Sequence, residues 1–169
     1  AKSTPDILID MLVDPIGPED GRLPPYLFDP NGQPEAHSYV AIADGTRRHN
    51  MARVYAGHYR SGGHTVPVLL VVKCGTPDEV TAAKPGNRGK RDSQIILMSF
   101  LSRVLFDDRM TPLEFDMFVK VRMLTGVTPD CFELVLMVDA DTQVDAAAVD
   151  RLARTMRSGP PRPSSATAP

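Results

Sequence analysis

The chain has 169 residues, enough for one domain with a hydrophobic core of its own. Its formal net charge is −2 at pH 7, with 42% hydrophobic and 24% charged residues, which is ordinary for a globular protein. This balance excludes a chain that is basic throughout, so it gives no overall case for nucleic-acid or membrane-surface binding. No apolar run approaches the ~20 residues that cross a bilayer. The two cysteines, Cys74 and Cys131, lack the spacing of metal ligands and are typical of free thiols in a reducing compartment.

The first half of the sequence predicts a short helix, a proline-rich loop and three strands. The helix covers residues 4–12, with Thr4 as its N-cap and Pro5 at the first helical position. Six prolines within residues 14–37 predict an extended surface loop. The predicted strands cover residues 38–43, 50–59 and 65–74. The sequence RSGGH joins the last two as a hairpin, and Pro67 suggests that the third strand pairs only after its first residues.

The second half predicts three helices. The first starts at Asp92 or Ser93 and is apolar on nearly all sides, which indicates a buried helix. The second starts with a capping box of Thr111 and Glu114 and stops near Gly126. Its inward-facing residues are Leu113, Met117, Val121 and Leu124. The third helix runs from Asp145 to Gly159.

An unbroken apolar run at residues 133–139 predicts a strand buried on both faces, as in a parallel sheet covered by helices. The whole pattern is α/β, with a mixed sheet that contains the hairpin and is flanked by helices. We assign residues 1–157 to one folded domain. Residues 158–169, rich in proline and serine, form a predicted disordered tail. The chain starts with alanine, and we expect it to be a segment of a longer protein.

Residues 84–91, here named the basic loop, concentrate positive charge. They contain Lys84, Arg88, Lys90 and Arg91, interleaved with two glycines and an asparagine. Such a loop suits a polyphosphate or RNA, whereas most charge runs are solvated loops without a ligand. The glycine spacing favours a ligand, because glycine lets a ligand approach the backbone closely.

Residues 138–142, here named the acidic segment, have the sequence VDADT at the end of the predicted buried strand. Asp139 and Asp141 lie two apart and would point the same way from an extended chain, so they could share Mg²⁺ or Mn²⁺. An ordinary turn before a helix cap explains the same residues equally well. Together, the basic loop and the acidic segment predict a nucleotide-diphosphate site with a metal ion, since ligands bind at the carboxyl ends of strands.

Two runs of the sequence carry a family resemblance. KPGNRGKRDSQIILMSFLSRVLFDDRMTPLEFD and GVTPDCFELVLMVDADT resemble the central catalytic segment of fungal chitin synthases, in the division that holds classes IV, V and VII. HSYVAIADGTRRHNMARVYAGHY and VPVLLVVKCGTP are similar to the stretch that precedes that segment in the family. The resemblance covers roughly residues 3–155, and from about Met156 the sequence departs from the family pattern.

The resemblance implies a processive, inverting glycosyltransferase with a GT-A fold, of which this chain would be a part. Such an enzyme transfers N-acetylglucosamine from UDP-GlcNAc to a growing chitin chain and uses Mg²⁺ or Mn²⁺. Position by position, it implies substrate-binding roles for Lys84, Asn87, Arg88, Lys90, Arg91, Ser93 and Asp139. It implies metal binding by Asp139 and Asp141, of which Asp139 is the firmer because other classes lack the second carboxylate.

The resemblance also indicates what this stretch lacks. The family's general base lies in a later Glu-Asp-Arg motif, and its acceptor site uses a Gln-x-x-Arg-Trp motif. This chain has no tryptophan and neither motif, so we expect it to be inactive alone. Membrane attachment is expected through other parts of the protein. This segment is expected on the cytoplasmic side of the cell membrane. A homo-oligomer is a candidate assembly.

A second function class stays open: a non-catalytic phosphate- or RNA-binding α/β module that uses the basic loop. Single-strand RNA binders add exposed aromatic residues for stacking on bases. Here only 6% of residues are aromatic, and none lies between positions 60 and 99. We therefore expect no nucleic-acid partner. His49, His58 and His64 are interpreted as structural or exposed, and His37 has no partner predicted from the sequence.

Overall fold

The computed structural model describes residues 2–159. Within that range the chain forms two compact units, one ending at Cys131 and the other beginning at Phe132. Most of the tail predicted to be disordered, residues 160–169, lies outside the described residues. The division into one domain and a tail therefore stays a prediction.

The first unit contains a three-stranded sheet in the order β1-β2-β3. Its strands are β1 (His37–Val40), β2 (His49–Ser61) and β3 (His64–Lys73). The three predicted strands are thus confirmed, with β1 shorter than expected. Both pairings are antiparallel, so the predicted mixed sheet is wrong for the part of the chain that is described. The broader α/β class is confirmed.

The β2–β3 hairpin turns at Gly62 and Gly63, whose φ angles of +55° and +81° are those of a tight two-residue hairpin loop. Pairing begins at the first residue of β3, and Pro67 lies opposite His58. The expectation that Pro67 delays pairing is therefore wrong. β3 lies at an edge of the described sheet, where only one side of the strand is hydrogen-bonded and a proline is tolerated.

The described residues contain four α-helices, three in the first unit and one in the second. They are α1 (Thr4–Asp10), α2 (Gly89–Leu105), α3 (Pro112–Thr125) and α4 (Ala146–Ser158). Ser3, one residue before the predicted cap, caps α1 in a capping box with Asp6. The predicted capping box of α3 is confirmed, as is its end at Gly126, which adopts the left-handed conformation at φ +75°.

The core of the first unit lies between the sheet and the helices α2 and α3. Its buried members are Ala52, Val54, Phe100, Leu113 and Met117. The inward-facing residues of β2 alternate along the strand, as the sequence predicts. On α3, Leu113 and Met117 are buried as predicted, whereas Val121 and Leu124 are only partly buried and belong to neither apolar cluster.

Helix α2 is not buried all round as predicted. Ile95 and Met98 are 49% and 59% exposed, and Leu105 is 68% exposed, whereas Phe100 is 2% exposed. A helix that is apolar on every side is buried all round only where other elements pack against each of its faces. Within the described residues, this helix has a substantial apolar face that is open to solvent.

The proline-rich loop is more than a surface connection. It forms short 3-10 turns at Pro18–Asp20 and Pro25–Leu27. It also buries a second apolar cluster, to which the loop contributes Leu23, Leu27 and Phe28 and α3 contributes Val119 and Met123. The prediction of an extended surface loop is therefore wrong in part, because these apolar residues cover one side of α3.

A buried ionic cluster connects α3 to the sheet. The Asp116 carboxylate lies 3.0 Å from His37 Nε2 and 2.7 Å from Lys120 Nζ, and both Asp116 and Lys120 have fully buried side chains. Lys120 Nζ also donates a hydrogen bond of 2.6 Å to the Val54 carbonyl oxygen. Burial lowers the pKa of Lys120, and the charge of Asp116 opposes that shift. His37, which had no predicted partner, thus joins β1 to α3.

The second unit contains α4, capped by the Asp145 side chain as predicted. Residues 132–139 form no strand, and the predicted buried strand at residues 133–139 is wrong. Val135, Leu136 and Val138 are 55%, 55% and 47% exposed. A strand requires a hydrogen-bonded neighbour, and every ladder in the described residues belongs to the antiparallel sheet of the first unit or to isolated bridges within that unit.

Candidate functional site

The basic loop is fixed by an ion pair between Arg88 and Glu79, which lies in the 3-10 turn Pro77–Glu79 after β3. The Arg88 guanidinium donates to both carboxylate oxygens of Glu79, with Nη1 3.1 Å from Oε2. It also donates to the carbonyl oxygens of Arg47 at 2.6 Å and His49 at 3.2 Å. Hydrogen bonds from the Arg88 side chain and, to a lesser extent, from the Gly86 N–H lower the pKa of Glu79 to about 2. Arg88 is therefore committed to holding the loop.

A close backbone crossing at Gly86 also fixes the loop. A Cβ atom on Gly86 would lie 2.4 Å from both the Gly75 nitrogen and the Lys73 carbonyl oxygen, distances that no side chain allows. Gly86 and Gly75 have φ angles of +71° and +80°, which favour glycine. By contrast, a Cβ atom on Gly89 would meet nothing within 4 Å. Gly86 thus serves the approach of one backbone segment to another, whereas Gly89 borders open space.

A network of buried polar groups continues this anchor into the sheet. Asn50, 1% exposed, donates through Nδ2 to the Gly86 carbonyl oxygen at 3.0 Å and to the Tyr39 hydroxyl oxygen at 2.7 Å. The Tyr39 hydroxyl in turn donates to Asp92 at 2.8 Å. Lys73 Nζ lies 3.2 Å from the same Asp92 oxygen. Burial is the main cause that raises the pKa of Tyr39, and the neighbouring Asp92 carboxylate raises it further. The Tyr39 hydroxyl therefore remains neutral and donates a hydrogen bond.

A pocket of about 570 Å³ opens beside the anchored loop. One wall comes from the connection between β1 and β2 and consists of Ile42, Ala43, Asp44 and Arg47. The other wall comes from the basic loop and the start of α2 and consists of Lys84, Asn87, Arg88 and Gly89. The lining carries three cations and one carboxylate and no aromatic side chain, which is a composition for binding an anion rather than for stacking on a base.

The pocket also lies at the N-terminus of α2. The N-cap residue Arg88 gives the first turn no side-chain hydrogen bond. The unsatisfied N–H groups and the dipole of a helix N-terminus favour an anion nearby. Asn87 Oδ1 accepts a 2.9 Å hydrogen bond from the Gly89 N–H, which holds the turn that leads into the helix.

The structure brings three of the residues with expected substrate roles into this pocket: Lys84, Asn87 and Arg88. Because α2 starts at Gly89, three residues before the predicted start, Lys90 and Arg91 belong to its first turns and not to a free loop. Like Ser93, they are exposed and do not line the pocket. The substrate-binding roles of all these residues stay predictions.

Asp139 and Asp141 belong to the second unit, where both are exposed. Residues 140 and 141 form a turn, and the Thr142 N–H donates to the Asp139 carbonyl oxygen at 3.0 Å. The assumption of an extended chain through both aspartates is therefore wrong. Within the described residues, no group of three or more His, Cys, Asp or Glu residues could hold a metal ion by itself. Two carboxylates nonetheless suit Mg²⁺ or Mn²⁺, which commonly complete their coordination with substrate phosphates and water.

Sequence reasoning missed the residues that support the pocket, chiefly Arg47, Asn50, Glu79 and Asp92. Signals for two of them were present. Asn50 falls on the inward side of the alternating β2 pattern, and Asp92 lies on the buried face of α2, four residues before Ile96. Arg47 and Glu79 act through contacts with residues up to 41 positions away, which local patterns do not reveal.

In the part of the chain that the structure describes, no helix has the length and apolar character to span a membrane. The comparison with solved structures gives no match. A GT-A fold therefore remains an expectation from the resemblance.

Comparison with known proteins identifies a family. The protein family described as Chitin synthase matches residues 1–161. The chain is 56% identical to chitin synthase C of Emericella nidulans over 84% of its length. It is 50% identical to chitin synthase 4 of Exophiala dermatitidis over 95% of its length and 51% identical to chitin synthase 3 of Candida albicans over 85%. It spans only 12–13% of the length of these relatives. The chain belongs to the chitin synthase family.

Proposed function

We propose that this chain is the part of a chitin synthase that binds the diphosphate of the sugar donor. The observation that carries this proposal is the identity of about half of all residues to several named chitin synthases over most of the chain. The reaction is the transfer of N-acetylglucosamine from UDP-GlcNAc to the end of a growing chitin chain. By resemblance, the complete enzyme is processive and inverts the anomeric centre of the donor sugar.

The basic loop and its pocket bind the negatively charged donor. Lys84 is exposed and has no side-chain hydrogen bond or ion pair within the described residues, so its ammonium group is available to a phosphate oxygen. A hydrogen bond to a charged group contributes about 1.5–3 kcal/mol. The rigid anchoring of the loop by Glu79 and Gly86 supports this role, because a preorganised site loses less entropy on binding.

The acidic segment would hold the divalent cation, with Asp139 as the principal ligand and Asp141 as the second. These residues would hold Mg²⁺ or Mn²⁺, which would supply positive charge to neutralise the diphosphate and stabilise UDP as a leaving group. The chain contributes two exposed carboxylates at a turn, and this donor set suits a cation that keeps water and phosphate ligands.

The cellular setting is also part of the proposal. We expect the complete protein to act at the cell membrane, with this segment on the cytoplasmic side, where UDP-GlcNAc is available. The general base and the acceptor-binding residues lie in other parts of the complete enzyme. Purified alone, the chain should therefore make no chitin from UDP-GlcNAc, because loss of a positioned acid or base typically costs a factor of ~10²–10⁴.

The proposal is tested with a segment-swap enzyme, in which this chain's residues 3–155 replace the corresponding segment of a full-length chitin synthase. The swap enzyme should synthesise chitin from UDP-GlcNAc. Lys84→Ala should raise the KM for UDP-GlcNAc by about tenfold or more, since it removes a cation that contacts the donor.

Arg91→Ala is the matched control, because Arg91 is an exposed cation seven positions from Lys84, in the first turns of α2, that does not line the pocket. It should change the KM by less than Lys84→Ala does. Equal effects of the two variants that disappear together at high salt would indicate nonspecific attraction of an anion. That result, or a swap enzyme that binds no UDP-GlcNAc, would contradict the proposed function.

A further inference from the structure

We propose that Arg47 and Lys84, and not Arg88, are the cationic side chains that grip the donor diphosphate. The inference rests on the function proposed above and extends it to a residue outside the basic loop. Arg47 lies in the 3-10 turn Gly45–Arg48 between β1 and β2, and its side chain helps to form the pocket wall that faces the loop.

Two hydrogen bonds hold Arg47 in register with the basic loop. Its Nη2 atom donates to the Asn87 carbonyl oxygen at 3.0 Å, and its own carbonyl oxygen accepts from Arg88 Nε at 2.6 Å. The turn and the loop are therefore linked in both directions. This arrangement keeps the Arg47 guanidinium at the pocket without burying it, since the residue remains exposed.

Arg47 and Arg88 differ in how many guanidinium N–H groups remain available to a ligand. An arginine carries five N–H donors in a planar fork that matches two phosphate oxygens. Within the described residues, Arg47 uses its side chain in a single hydrogen bond. All three guanidinium nitrogens of Arg88 already donate to Glu79 or to backbone carbonyl oxygens, and its side chain is 1% exposed. Arg88 thus has the charge of a ligand but the surroundings of a structural residue.

The charge of the pocket leads to the same conclusion. Glu79 neutralises Arg88, so the positive charge available to an anion comes from Arg47 and Lys84 and exceeds the single negative charge of Asp44 in the lining. A diphosphate has two phosphoryl groups and can meet both cations at once. The N-terminus of α2, where the Arg88 side chain makes no capping hydrogen bond, starts at Gly89 in the same pocket lining as Lys84 and adds a further favourable contribution.

The test compares Arg47→Ala with Arg48→Ala in the segment-swap enzyme. Arg48 is the adjacent exposed cation of the same turn and does not line the pocket. Equilibrium dialysis measures the affinities for UDP and for uridine. The difference between the two reports the contacts made to the diphosphate. Arg47→Ala should weaken UDP binding by about tenfold or more and leave uridine binding unchanged. Arg47→Lys should recover part of the loss, and Arg48→Ala should have little effect.

The outcomes separate this inference from the proposed function. If Lys84→Ala weakens UDP binding but Arg47→Ala behaves like Arg48→Ala, the role of Arg47 is refuted and the donor site stands. If Arg47→Ala weakens UDP and uridine equally, Arg47 only supports the loop, and the inference is again wrong. If the unmodified swap enzyme binds no UDP, or Lys84→Ala leaves UDP binding unchanged, the proposed donor site itself fails.

Discussion

The basic loop and the acidic segment carry opposite charges, and the structure supports them in different ways. The basic loop crosses the end of β3 at Gly86, is tied to β2 through Asn50, and is paired with Glu79 in the turn after β3. The acidic segment follows an exposed apolar stretch that belongs to no strand. The first is a site built from buried contacts, whereas the second is a turn with exposed carboxylates.

This difference shows that the position of a segment depends on contacts from other segments of the chain as well as on its own residues. The loop's position depends on residues from β2, from the segment after β3 and from α2, all within the first unit. The apolar stretch 133–139 has the composition of a buried strand, but composition alone supplies no hydrogen-bonded partner. Three pairs of substitutions sharpen this contrast.

The largest effect is expected at Gly86. Gly86→Ala would place a methyl group against the backbone of Lys73 and Gly75, in addition to the strain of a positive φ angle. Gly89→Ala is the matched control, with a φ angle of +76° and no atom within 4 Å of the new methyl group. The control should cost about 1–2 kcal/mol of unfolding free energy, and Gly86→Ala at least about 2 kcal/mol more. Urea unfolding followed by circular dichroism measures both, and equal losses would show that the crossing is not tight.

An intermediate effect on stability is expected when the pH is lowered. The pKa of Glu79 is about 2 in the folded protein, against an ordinary value of 4.5. Its ion pair with Arg88 therefore stabilises the fold fully above pH 4.5, and this contribution is lost as the pH falls from about 4.5 to about 2. Glu79→Gln should flatten the fall of Tm over that interval, whereas Asp78→Asn, at the exposed neighbouring position, should not. If the two variants gave the same Tm profile as the unmodified chain, the anchor would carry no pH-dependent stability.

The smallest effect is expected in the apolar stretch before the acidic segment. Leu136 is 55% exposed, so Leu136→Ala should change the unfolding free energy by no more than about 0.5 kcal/mol. Leu113, 2% exposed in the core, provides the contrast, and Leu113→Ala should cost about 2–5 kcal/mol. A cost at Leu136 as large as that at Leu113 would restore the buried strand that the sequence predicted.

Local signals account for what the sequence predicted correctly. The capping box of Thr111 and Glu114 and the final Gly126 define α3 within a few residues of chain. The two-glycine turn defines the β2–β3 hairpin in the same way. These elements carry their own boundaries, so their positions needed no knowledge of the rest of the fold.

Non-local contacts account for what was missed. Arg88 has the same charge in the sequence as Lys84, and only its contacts with Glu79 and with the carbonyl oxygens of Arg47 and His49 separate a structural role from a ligand role. Arg47 lies 40 residues from its partner Asn87. The pairing of His37 with Asp116 joins residues 79 positions apart. Charge clusters therefore indicate a site, but the contacts decide which charges serve a ligand.

The central claim is that this chain binds a metal-associated sugar-nucleotide diphosphate. It is tested most directly by chitin synthesis in the segment-swap enzyme carrying Asp139→Asn or Lys84→Ala, measured over a range of Mn²⁺ concentrations. Asp139→Asn should abolish synthesis, with little recovery from added Mn²⁺, because it removes the carboxylate charge that the proposed site offers to the metal. Lys84→Ala should raise the KM for UDP-GlcNAc while keeping a normal Mn²⁺ dependence. Normal chitin synthesis by Asp139→Asn would contradict the account.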